Sequence, residues 1–245
     1  MMTLWFIFIC GALLAGFVQG LTGFAFALVA MSFWIWVLPP QVAAPLVVIG
    51  SLWSHLIAMR KDRHHTLSFH LVMPYLIGGL IGVPFGVFLL HLIEANLFKA
   101  VLGTFLMLWC PLMYFSPQIQ LIQKSGKYAD STIGFSGGIL GGLGGYCGTL
   151  PSAWVMLKEL PREQQKHILR HFNFSIQIFT LVIYLWRGNI TMGHLNYIAI
   201  LMISVSIPAL LGAQLFYKIS AQQFKHTVLT LLFVSGCFMS ISYWF

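Results

Sequence analysis

GFVQGLTGFAFAL, residues 16 to 28, and GILGGLGGYCGTL, residues 138 to 150, are two copies of one glycine-rich element set 122 residues apart in apolar sequence. Gly16 and Gly138, Gly20 and Gly142, Leu21 and Leu143, Gly23 and Gly145, and Leu28 and Leu150 coincide. Phe24 falls on Tyr146, and the same offset carries Leu38-Pro39 onto Leu160-Pro161. A second register, at an offset of 126, pairs Gly86 with Gly212, Ala95 with Ala221, Phe98 with Phe224, Lys99 with Lys225 and Thr104 with Thr230. Apolar chains share scattered leucines by composition alone, but not glycines, prolines and lysines in matching order. The sequence therefore predicts an internal duplication, with one transmembrane repeat at 1–120 and another at 121–245, a form in which many transporters are built.

With 59% hydrophobic residues, 7% charged and a mean hydropathy of +0.87, the chain is too apolar for a soluble domain, whose charged fraction is about a quarter. It reads as an all-α polytopic membrane protein. Hydrophobic segments fall at about 4–38, 41–59, 70–93, 97–115, 131–157, 168–186, 194–217 and 225–245, most of them near the roughly 20 residues that cross a ~30 Å hydrocarbon core. Little is left for an extramembrane domain, and no Walker-type phosphate loop is present, so an ion or substrate gradient is the expected energy source. Cys10, Cys110, Cys147 and Cys237 lie in apolar segments without the paired spacing of a metal site, so no metal or cofactor is implied. The first segment has no basic leader, so it is expected to stay in the mature protein. The net charge of +8 points to basic loops at a membrane rather than to nucleic acid.

Segment 4–38 is too long for one crossing, because 35 helical residues would reach about 52 Å. A single pass there and at 131–157 divides the 13 lysines and arginines almost evenly between the two sides. If each glycine-rich element instead returns to the side it came from, Arg60, Lys61, Arg63, Lys124, Lys127, Lys158, Arg162, Lys166, Arg170, Lys218 and Lys225 share one face, leaving Lys99 and Arg187 opposite. That asymmetry is the positive-inside pattern. It predicts inverted halves, each with a broken or re-entrant element followed by three transmembrane helices, and both termini outside. Two short crossings per element sort the charges equally well.

The motifs GGILGGLGGYCGTLPSAWVML at 137–157 and GALLAGFVQGLTGFAFALVAM at 11–31, with the repeat spacing, resemble the sulfite exporter family of the TauE/SafE type over essentially the full chain. The first copy departs from the family pattern: Thr22-Gly23-Phe24-Ala25-Phe26 stands where a glycine run and trailing proline are customary. The resemblance implies a multi-pass protein of the bacterial cytoplasmic membrane that moves small anions, typically sulfite or organosulfonates.

The five acidic residues, Asp62, Glu94, Asp130, Glu159 and Glu163, lie at segment ends or in loops, which argues against a dedicated cation carrier. The middle of the bilayer is expected to hold no lysine or arginine either, so an anion needs other donors. Helices broken mid-membrane supply unpaired backbone N–H groups and positive dipole ends. Gly20, Gly23, Gly142, Gly144 and Gly145 are candidates for that backbone, although Gly16-x-x-x-Gly20 and Gly138-x-x-x-Gly142 also match close helix packing. The candidate substrate-binding set is Gln19, Thr22, Gly23, Gly144, Gly145, Thr149, Ser152, Asn173 and Gln177, with Ser51 and Ser54 nearby and Asn173 and Gln177 spaced for one helical face. Arg170 near the start of the sixth segment has two readings, attracting or gating an anion from the cytoplasm and reaching toward lipid head groups, and the second is favoured. The reading is a secondary transporter of a small anion in a lipid bilayer. Its alternatives are a channel or a non-transporting scaffold and, less favoured, a rhomboid-like serine protease using Ser136 in Gly134-Phe135-Ser136-Gly137 and His194.

Overall fold

The structure, a computed structural model, describes residues 2–34, 36–59, 69–90, 126–158 and 160–244, with isolated residues between 97 and 111. Among the described residues the regular structure is helical: α1 (Met2–Thr22), α2 (Phe26–Trp34), α3 (Pro40–Met59), α4 (Phe69–Leu89), α5 (Lys127–Gly144), α6 (Thr149–Leu157), α7 (Arg162–Trp186), a short 3-10 turn (Met192–His194), α8 (Leu195–Phe216) and α9 (Ala221–Trp244). Among the described residues, five stretches are long and apolar enough to cross a membrane: Met2–Thr22, Gln41–Met59, His70–Leu89, Glu163–Trp186 and Met192–Phe216. The protein is thus a multi-pass membrane protein. The segment expected at 97–115 lies mostly outside the described residues, and α7 begins six residues earlier than the sequence segment at 168.

Its surface is apolar where a bilayer would touch it. On α4, Ile77, Ile81, Phe85 and Phe88 point outward, and on α8 Ile203, Ile207 and Leu211 do the same. In water such stripes would be unfavourable; against lipid tails they cost nothing.

Both long glycine-rich segments are broken. Gly23 and Gly145 carry φ of +83° and +81°, a left-handed conformation that costs an L side chain about 1–2 kcal/mol, so glycine ends each helix there. The Gly23 N–H bonds back to the Gln19 carbonyl at 2.7 Å, and the Gly145 and Tyr146 N–H groups bond to the Gly141 and Leu140 carbonyls at 2.8 and 3.2 Å. After each break the chain runs back along the helix it has just left. Trp34 at the end of α2 donates its indole N–H to the Phe8 carbonyl near the start of α1 at 3.0 Å, with rings stacked 4.7 Å apart. Trp154 of α6 donates to Asp130 near the start of α5 at 2.8 Å. Each element is therefore a hairpin with unequal limbs: α1 has 21 residues and α2 nine, α5 has 18 and α6 nine. At about 1.5 Å per residue, the short limbs span only half of a ~30 Å core.

The other glycines decide which helices touch. A Cβ on Gly20 would strike the Ala209 carbonyl of α8, and one on Gly212 the Phe17 carbonyl of α1. On α4, Gly78, Gly82 and Gly86 face the carbonyls of Ser131, Phe135 and Ile139, while Gly134 and Gly138 of α5 face those of Tyr75 and Gly79. The α1–α8 and α4–α5 backbones thus lie in direct contact, as small residues permit in membranes. α3 and α7 stand between these pairs and carry several of the polar side chains considered next, among them Ser51, His55, Asn173 and Gln177.

Candidate functional site

Asn173 of α7 joins the two breaks. Its Nδ2 donates to the Gly23 carbonyl of the first at 3.4 Å and to the Leu169 carbonyl of its own helix at 2.7 Å. Its Oδ1 accepts the Cys147 thiol of the second at 2.8 Å. The breaks also touch directly, since a Cβ on Gly148 would lie 2.5 Å from Phe24 Cβ and 2.8 Å from Asn173 Nδ2. Two half-length helices, α2 and α6, therefore begin beside one another around a single buried amide.

In the first break the expected free N–H groups are occupied. Gln19 accepts the Phe26 N–H through Oε1 at 2.8 Å, while its Nε2 donates to Ser51 Oγ at 2.9 Å and meets His55 Nε2 at 2.7 Å. Thr22 donates its hydroxyl to the Val18 carbonyl at 2.8 Å and accepts from the N–H groups of Phe24 and Ala25 at 3.4 and 3.3 Å. These two side chains cap the opening turn of α2. They are candidates of the sequence whose hydrogen-bonding capacity is spent inside the protein in this conformation.

The second break is organised differently. Thr149 donates to the Tyr146 carbonyl and Ser152 to the Thr149 carbonyl, both at 2.9 Å. Gly144 is the last residue of α5 and Gly145 the left-handed residue beyond it. Gln177 lies one turn beyond Asn173 on α7 and beside the Cys147 thiol, yet its Nε2 and Oε1 are buried without a hydrogen bond. Ser54 Oγ on α3 is also buried and unbonded. Buried amides left unbonded cost on the order of 1–3 kcal/mol each, so such groups mark positions where a partner is missing.

One expectation about charge needs correction. Arg170 does not reach for head groups: it is only 5% exposed, and Lys166 one turn earlier only 3%. Both lie against the first break, because a Cβ on Gly23 would sit 3.7 Å from Arg170 Cβ and from Lys166 Cγ. The Lys166 ammonium stands 3.6 Å from the centre of the Phe216 ring. Lys166, Arg170, Asn173 and Gln177 follow one another at spacings of four, three and four, a single face of α7. That spacing is present in the sequence, but the place of Arg170 near a helix start favours an interfacial reading. Asp130 stands at a segment end, as expected, in the first turn of α5, and is buried there. It accepts from Tyr75 at 2.9 Å, Trp154 at 2.8 Å and the Lys158 ammonium at 2.7 Å.

The polar set is sealed: Gln19, Thr22, Ser51, His55, Thr149, Ser152, Asn173 and Gln177 are all buried. Ser136 and His194 are not brought together, since Ser136 donates to the Thr132 carbonyl and His194 pairs with Thr191.

A model of the sulfite exporter TauE/SafE family matches residues 7–239, nearly the whole chain. The chain belongs to this family. No curated protein and no solved structure matches significantly. TauE/SafE membership bears out the resemblance read from residues 11–31 and 137–157, and it implies a small anionic substrate and a lipid environment. Within the family motif at 137–157, Cys147 is a site neighbour that sequence spacing alone does not single out.

Proposed function

We infer that the protein is a secondary transporter that moves a small sulfur-containing anion, such as sulfite or an organosulfonate, across a bacterial cytoplasmic membrane by alternating access between inverted halves. The observation that carries this reading is the meeting of two helix breaks at Asn173, with the unbonded Gln177 amide one turn away. Half-helix starts aimed at one point attract an anion through backbone N–H groups and dipole ends, and Arg170 and Lys166 add positive charge beside the first break. Two features support the duplication: the left-handed glycines Gly23 and Gly145 lie 122 residues apart, and α1–α8 packing is matched by α5–α4 packing with the halves exchanged. Burial of the whole polar set suits an occluded carrier better than an open channel.

The substrate side chains proposed from this geometry are Asn173 and Gln177, with Gly144, Gly145, Thr149 and Ser152 shaping the second break, and Gln19, Thr22 and Gly23 the first. Losing one hydrogen bond to a charged ligand costs on the order of 1.5–3 kcal/mol, a ten- to hundredfold loss of affinity. Sulfite and methanesulfonate affinity of purified, monodisperse Asn173→Ala and Gln177→Ala proteins tests the assignment. Losses of that size are expected; parental affinity in both variants would remove this face of α7 from the site.

A further inference from the structure

The side chains around His55 hold only one arrangement of protons. The Phe26 N–H needs an acceptor, and Gln19 Oε1 supplies it at 2.8 Å, so the Gln19 amide nitrogen must face Ser51 and His55. An amide nitrogen only donates. His55 Nε2, 2.7 Å away, is therefore an acceptor, and the ring's single proton sits on Nδ1. This ring meets the Gln19 amide from α1, with Ser51 one turn back on α3, and the Phe174 ring from α7, and the titratable groups of α7 within a turn of Phe174 are Arg170 and His171. Among the described residues, α2, α5 and α8, which also pack on α3, present no ionisable group to it.

We propose that His55 is the proton-binding site that couples this transporter to pH, and that its protonation exposes the anion site of the first break. A proton arriving at Nε2 makes His55 a donor at both nitrogens, opposite another donor. The contact survives only if the Gln19 amide turns over, so that Oε1 accepts the new Nε2–H and the Ser51 hydroxyl becomes a donor to the same oxygen. The amide nitrogen then faces the Phe26 N–H, which loses its acceptor. One proton is taken up, no bond other than N–H forms, and the first N–H of α2 becomes open to an anion.

The same geometry links proton and anion. Arg170 and His171 lie within one turn of Phe174 on α7, whose ring is 6.0 Å from the His55 ring, so a positive charge there opposes a second positive charge on the ring. An anion beside Arg170 and the Gly23 break offsets that repulsion and accepts the released N–H. Proton and anion therefore bind together, one of each, which rests on the anion-transporter reading above. The orphaned groups of a broken helix, masked by a side chain in the closed state, are unmasked by the coupling ion.

Methanesulfonate is the probe, since it stays ionised across the histidine range and adds no titration of its own. On binding it, the parent protein in weakly buffered solution should take up about one proton per anion, and its affinity should rise about tenfold for each unit the pH falls above the histidine's range. His55→Gln keeps an acceptor for the Gln19 nitrogen and cannot titrate, so it holds the closed arrangement; it should bind methanesulfonate more weakly than the parent, with no proton uptake and no pH dependence. His171→Gln should keep the uptake. If His55→Gln does not fold, nitrogen-labelled histidine NMR of the parent reads the same event as a shift of His55 Nε2 from unprotonated to protonated when the anion is added. Uptake that persists in His55→Gln, a His55 signal that does not move, or parental binding without uptake overturns the proposal and leaves the transporter reading standing. Failure of the parent to bind either methanesulfonate or sulfite overturns both.

Discussion

Replacing the left-handed glycines by alanine separates backbone strain from crowding, because three of them differ only in what surrounds them. Gly23, Gly145 and Gly188 have φ of +83°, +81° and +72°. A left-handed alanine costs about 1–2 kcal/mol, offset by about 0.4–1 kcal/mol from the stiffer unfolded chain. At Gly188 a Cβ would meet nothing within 4 Å, and at Gly23 its nearest neighbours would be at 3.7 Å. Both should lose only the net strain, about 0–1.6 kcal/mol. At Gly145 the new Cβ would sit 2.8 Å from Val47 Cγ1 and 3.5 Å from Val48 Cγ2. Overpacking there adds about 1–3 kcal/mol. Thermal unfolding of the purified proteins in one detergent should therefore rank Gly145→Ala well below Gly23→Ala and Gly188→Ala, with the last two alike. Gly23→Asn should recover part of the loss, since Asn tolerates this conformation. Gly145→Ala as stable as the parent, or Gly188→Ala as damaging as Gly145→Ala, would refute the claim that conformation and the α3 contact together define the second break.

Asp130→Asn should destabilise by about 3–5 kcal/mol, because it leaves the Lys158 ammonium without its carboxylate in a largely buried site. Adding Lys158→Met should recover much of that loss, read as unfolding midpoints of the single and double variants. In a cysteine-free background, Arg187→Cys should label with an impermeant reagent added outside intact cells, and Lys127→Cys should not. Labelling of position 127 from outside would reverse the orientation.

Glycine density in the sequence located both breaks to within a few residues, yet placed them too early. The candidates for broken backbone begin at Gly20 and Gly142, whereas non-helical backbone occurs at 23–25 and 145–148. Gly20 and Gly142 remain helical because they serve as contact surfaces, against Ala209 and Val83. The two readings of these glycines, breaking and packing, are therefore both realised, at different residues of the same motif. Period and composition cannot separate them, since the distinction depends on which helix arrives from elsewhere in the chain. The same limit explains Arg170. Eight residues into α7, it looked interfacial by position, and only the first break folding against α7 buries it. The capping of Phe24, Ala25 and Phe26 by Thr22 and Gln19 was equally hidden, because Gln19 acts across seven residues to reach Phe26. Asn173 and Gln177, by contrast, were legible as a polar pair on one face of an apolar helix.

The central claim is that this family member carries a small anion by alternating access through the site around Asn173. Counterflow in proteoliposomes tests it most directly: vesicles loaded with unlabelled sulfite and placed in dilute radiolabelled sulfite should accumulate label transiently, with saturable initial rates, and Asn173→Ala should weaken the half-saturating concentration by ten- to hundredfold. Flux that rises linearly with concentration and shows no counterflow would contradict the account.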